Sequence, residues 1–145
     1  MYFSYPQVVL QEVPDEISLA LSISGCTLNC KGCHSSETFD PKFGEELSLS
    51  KLAQMIDHQK HITCVLFYGG EWLIEELEVF IDYVKSRNLK TCLFTGRELA
   101  YFSDEFLNKL DFIKVGRYKE NLGGLKSEQT NQRFIKLPLP MSITR

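Results

Sequence analysis

Cys26, Cys30 and Cys33 stand in the spacing C-x3-C-x2-C inside the stretch Ser-Ile-Ser-Gly-Cys-Thr-Leu-Asn-Cys-Lys-Gly-Cys-His at 22–34. Thiolates are soft ligands, and three on one short loop can converge on a single metal centre without help from the rest of the fold. The spacing suits an iron–sulfur cubane, three of whose corners a loop can wrap while the fourth is left to something else. Zinc is the competing occupant; it would require a fourth protein ligand, for which His34 or a strand cysteine is at hand. Gly69-Gly70-Glu71 is a second candidate site. Its glycines permit positive φ and close backbone approach, and an acid opening a helix is favoured by the helix dipole. Thr95, a hydroxyl ending a further apolar run, is a third. Cys64 and Cys92 lie inside apolar runs and read as small buried hydrophobes. His58 and His61 flank a helix end and indicate no metal pairing.

These residues need elements to hold them. Residues 17–23, Ile-Ser-Leu-Ala-Leu-Ser-Ile, alternate with period two, which predicts a strand leading into the cysteine loop at 24–40. Val8-Val9-Leu10 is expected as a short edge strand. Leu52, Met55 and Ile56 recur at helical spacing behind a cap at Ser48 or Ser50. Residues 62–68 form a nearly continuous apolar run, the pattern of a strand covered on both faces. Gly69-Gly70 ends it, and a helix is expected from Glu71 with the stripe Ile74, Leu77, Phe80, Ile81 and Val84. Further strands are expected at 89–95, 111–115 and 133–137, with Ser103 capping a helix between the first two. A polar loop at 117–131 and a loosely ordered tail at 138–145 complete the chain.

Strand and helix alternate, so the expected fold class is α/β: an open partial (βα) barrel of about five mostly parallel strands. A closed eight-unit barrel needs about 250 residues, and this chain has 145, which predicts a single domain. In such folds chemistry gathers at the carboxyl ends of strands, where all three candidate sites fall.

With 16 Lys and Arg against 19 Asp and Glu, the net charge is -3, which argues against the basic footprint of a nucleic-acid binder. No stretch approaches the roughly 18–20 apolar residues that span a bilayer. The opening Met-Tyr-Phe-Ser-Tyr-Pro lacks the cationic and apolar regions of a signal peptide. Five cysteines, three of them clustered and none behind an export signal, place the chain in a reducing compartment, the cytoplasm.

C-x3-C-x2-C after one strand and Gly-Gly-Glu after the next resemble the radical S-adenosylmethionine (SAM) enzymes. Gly116-Arg117-Tyr118 and Thr130-Asn131-Gln132-Arg133 are similar to the tail of the activating enzymes of class III anaerobic ribonucleotide reductases. The chain departs from that pattern at His34, where an aromatic residue is usual, and at Trp72, where proline is common. The resemblance implies a [4Fe-4S] cluster held by Cys26, Cys30 and Cys33, with SAM chelating the fourth iron. It further implies cofactor contacts from Gly32, Cys33, His34, Gly69, Gly70, Glu71 and Thr95, with Glu71 paired to the SAM ammonium. No side chain is expected to act as a catalytic acid or base, because cluster and SAM carry the chemistry. The implied partners are the large glycyl radical subunit of the anaerobic reductase and a low-potential electron donor such as flavodoxin. Two rivals remain: a radical SAM enzyme acting on a small molecule, and a non-catalytic zinc or iron–sulfur module.

Overall fold

In the computed structural model, which describes residues 1–26, 39–116 and 132–138, one sheet carries all the described strands. The elements in chain order are β1 (Tyr2–Val9), β2 (Ser18–Ile23), β3 (Glu45–Glu46), α1 (Leu49–His58), β4 (Cys64–Tyr68), α2 (Ile74–Ser86), β5 (Lys90–Phe94), α3 (Asp104–Leu107), β6 (Phe112–Val115) and β7 (Arg133–Lys136). Short 3-10 turns occupy Glu71–Leu73 and Leu99–Tyr101. Across the sheet the order is β3-β1-β2-β4-β5-β6-β7, so the sheet is open, with β3 and β7 at its edges.

The expectation of about five mostly parallel strands is corrected on two counts. Seven strands are described, and only β2–β4, β4–β5 and β5–β6 pair in parallel. β1 runs antiparallel to both β2 and β3, and β7 runs antiparallel to β6. The short edge strand expected at Val8-Val9-Leu10 is longer and ends earlier: Val8 and Val9 close an eight-residue strand that β3 flanks only at Tyr2 and Phe3, so at Val8 and Val9 β2 is the one paired neighbour among the described residues. Pro6 hid that strand in the sequence. The ladder shifts register between Ser4 and Gln7, so the proline, which has no N–H to donate, falls in a bulge.

Local signals explain most of the remaining elements. Ser48 caps α1, its hydroxyl accepting from the Lys51 N–H at 3.1 Å, and Ser103 caps α3 through the Phe106 N–H at 3.1 Å. The helix expected from Glu71 starts instead at Ile74, because Gly70 is left-handed (φ +113°) and residues 71–73 form a tighter turn. From there Leu77, Phe80, Ile81 and Val84 are buried as the stripe requires.

The helices pack on one face of the sheet. Leu52 and Ile56 of α1, the α2 stripe, and Phe106 and Leu107 of α3 join Leu19, Leu21, Ile23, Val65, Phe67, Leu93, Ile113 and Val115 in the main core. The alternation along β2 therefore means what it predicted. Ala20 points to the other face, where it meets Val13, Cys64, Leu66, Cys92 and Phe112, with Tyr68, Phe94 and Phe134 packed alongside. No helical residue takes part in that second cluster among the described residues. Since β2, β4, β5 and β6 run parallel, their carboxyl ends share one rim of the sheet.

Candidate functional site

Three segments meet at that rim. The first is the exit of β2, where Ser24 is 1% exposed and fixed by its own polar groups. Its N–H donates to the Tyr2 carbonyl (2.9 Å) and its hydroxyl to the Phe43 carbonyl (2.6 Å). Gly25 follows with φ +103°, and then the half-buried Cys26. Gly32, Cys33 and His34, together with Cys30, lie outside the described residues.

The second segment is the exit of β4. Gly69 donates its N–H to the Phe94 carbonyl at 2.8 Å, which holds the turn beside the end of β5. Gly69 and Gly70 are both at positive φ, +87° and +113°, as a glycine pair allows. The pair drops Glu71 into the interior, where it is 2% exposed.

The third segment, at the end of β5, answers it. The Thr95 hydroxyl donates to Glu71 Oε1 at 2.6 Å and accepts from the Arg97 N–H at 3.1 Å. Glu71 Oε2 is buried with no hydrogen-bond partner among the described residues. Burial pushes the Glu71 carboxyl above its ordinary pKa; the Thr95 hydrogen bond, the nearby backbone N–H groups of Glu71 and Gly70 and the charge of Arg97 oppose that without cancelling it. A carboxylate held by one oxygen, with the other desolvated and open, is an acceptor for a cationic donor. Thr95, expected to touch a cofactor itself, has its hydroxyl donor on Glu71.

Gly69, Gly70, Glu71 and Thr95 are thus brought together, and Cys26 stands on the same rim. Two participants were not foreseen. Trp72 Nε1–H donates to the Ser24 carbonyl at 3.0 Å, joining the first segment to the second, and Arg97 supports Thr95. The sequence carried a hint of the first, since an indole stood where proline was expected. Gln132, directly ahead of the edge strand β7, is buried, and its side-chain amide donates to the Gly116 carbonyl at 3.5 Å. Cys64 and Cys92 are fully buried, and desolvation raises both thiols, Cys64 to about 12 and Cys92 well above its ordinary value, as inert core cysteines require.

A family description of a 4Fe-4S single cluster domain matches residues 17–135, spanning every segment of this rim. The chain belongs to that family. The chain is also similar to the anaerobic ribonucleoside-triphosphate reductase-activating protein of Enterobacteria phage T4, with 26% identity over 113 residues and 72% of each chain covered. No solved structure matches at a significant level. Among the described residues no three His, Cys, Asp or Glu side chains converge, two of the three loop cysteines lying outside them. No described helix is long and apolar enough to cross a membrane.

Proposed function

We propose that the chain is a radical SAM activating enzyme that generates a glycyl radical on the large subunit of an anaerobic ribonucleotide reductase. Cys26, Cys30 and Cys33 would hold a [4Fe-4S] cluster, and Glu71 the SAM ammonium, with Gly32, His34, Gly69 and Gly70 lining the cofactor. When bound, cluster and SAM supply reductive cleavage of the sulfonium and abstraction of a hydrogen atom from the target glycine.

The observation that carries the reading is Glu71 Oε2, buried and without a partner among the described residues, on the rim that also bears Cys26. Leaving such an atom unmatched is costly, and an ammonium matches it in charge and hydrogen bonding. Three thiolates on one loop are likewise the donor set an iron–sulfur cluster takes. The likeness to a reductase-activating protein supports the choice of partner.

The protein's own tasks are to bind, orient and exclude water. Thr95 holds the Glu71 carboxylate in one rotamer, and the Gly69-Gly70 turn lets backbone approach a ligand closely. A sheet whose edges β3 and β7 do not pair with each other among the described residues leaves a flank for a partner's loop, which suits a macromolecular substrate. Hydrogen-atom transfer needs no general acid or base. An electron donor such as flavodoxin would reduce the cluster in the cytoplasm, and residues 1–145 would act as one domain.

The test is direct. The anaerobically reconstituted protein, given SAM, reductant and the large reductase subunit, should produce a glycyl radical doublet by electron spin resonance. Iron-loaded protein that cleaves SAM but leaves every reductase subunit without a radical would refute the assignment of substrate.

A further inference from the structure

Trp72 occupies a position that its hydrophobicity alone does not explain. Its indole Nε1–H donates to the Ser24 carbonyl across 48 positions of sequence. A Cβ built on Gly25 would lie 2.9 Å from that same nitrogen, and one on Gly69 would lie 2.5 Å from Cη2. The indole is therefore seated against two glycines, one in each segment of the rim. The backbone ladder between β2 and β4 ends at the Ser22–Tyr68 pair. Beyond that pair the indole carries the tie onward, completing the hydrogen bonding of Ser24, whose N–H and hydroxyl already have partners.

We infer that Trp72 is a positioning residue: it fixes the Ser24-Gly25 stem of the cysteine loop against the Gly69-Gly70-Glu71 turn, so that Cys26 and the Glu71 carboxylate keep one mutual geometry. This rests on the cofactor reading given above. A cluster ligand and the group that pairs with the SAM ammonium must be in register, because SAM would engage both at once. They belong to different loops after different strands, and loops drift independently unless something joins them. The indole joins them with a directional bond to a buried carbonyl and a flat surface against two residues that lack side chains. Loss of the N–H alone would leave that buried carbonyl unpaired.

Trp72 is the one tryptophan in the chain, so replacement at tryptophan codons alters this side chain alone. Expression in a tryptophan auxotroph fed 3-benzothienylalanine preserves the shape of the ring and removes the N–H; Trp72→Phe is a second variant. In the metal-free wild type the single indole ¹⁵N–¹H resonance should exchange slowly with solvent, and rapid exchange would overturn the tie. After anaerobic loading, SAM is titrated while the spin-resonance spectrum of the reduced cluster is followed. Both variants should need about fivefold more SAM for half-saturation, the factor one net hydrogen bond is worth, and their metal-free melting should fall by a few degrees, because the Ser24 carbonyl is left unpaired. Lower iron occupancy in the folded variants would also support a displaced stem. Half-saturation and iron occupancy equal to wild type would overturn the inference, whatever the melting temperature. A wild type that binds no iron, or whose cluster spectrum ignores SAM, would overturn the cofactor reading and this inference with it.

Discussion

Glu71 and Leu77 lie six positions apart and are buried to nearly the same degree, at 2% and 0% exposure, yet their surroundings differ in kind. Leu77 sits in the main core among apolar side chains from helices and strands. Glu71 carries a carboxylate into the protein, satisfies one oxygen through Thr95 and leaves the other without a partner among the described residues. The helix-covered face is assembled for stability. The carboxyl rim tolerates an arrangement that burial alone disfavours, and active sites are where such tolerance is found. Substitutions in the two regions should therefore separate folding from cofactor binding.

The sharpest separation comes from the cysteine loop. Cys26→Ala should reduce iron from roughly four atoms per chain, the content of one cubane, to near zero. Thermal unfolding of the metal-free protein should barely move, because Cys26 is only half-buried and outside the core clusters. Iron and sulfide analysis beside a melting curve reads both quantities, and full iron content in the variant would remove Cys26 from the ligand set. Leu77→Ala should do the reverse. A core Leu truncation costs about 2–5 kcal/mol, depending on how far the site collapses. Denaturant unfolding should show that loss while iron uptake per folded chain stays at the wild-type level. Glu71→Ala comes third and acts on binding: calorimetry should show SAM affinity weakened by about 1.5–3 kcal/mol, the worth of a charge-assisted hydrogen bond. Unchanged affinity would move the ammonium elsewhere.

The same division governs what could be read from the residues alone. Local signals were legible: the alternation of β2, the caps Ser48 and Ser103, the stripe of α2 and the glycine pair ending β4 all have causes within a few positions. β1 was not, because its pattern is broken by Pro6 and its pairing depends on strands far along the chain. Glu45–Glu46 is too short and polar to announce itself as β3. The direction of β7 escaped too, since an apolar run looks the same whichever way it pairs. At the rim the cysteine spacing and Gly-Gly-Glu marked the candidate residues, but the Thr95–Glu71 bond depends on parallel register between β4 and β5. Trp72 stood out only as a departure from a pattern; its tie to Ser24 required the fold.

The smallest effect probes the rim most closely, because it concerns Glu71 before any ligand arrives. Burial raises the pKa of this carboxyl in the folded chain, so folding favours the protonated acid. Its contribution to stability is whole below the ordinary glutamate range and is lost as pH rises through the elevated folded value. There the folded protein must keep a charged carboxylate away from water. Glu71→Gln retains an acceptor for the Thr95 hydroxyl and carries no charge at any pH. The ligand-free variant should accordingly melt higher than wild type at neutral pH, and the gap should close on acidification below about pH 4, near the ordinary glutamate pKa. SAM should stabilise wild type at neutral pH far more than the variant, since its ammonium provides what the open oxygen lacks. Equal melting of the two proteins across the whole range would mean that Glu71 bears no buried-charge penalty. The rim would then be no different in kind from the core beneath Leu77.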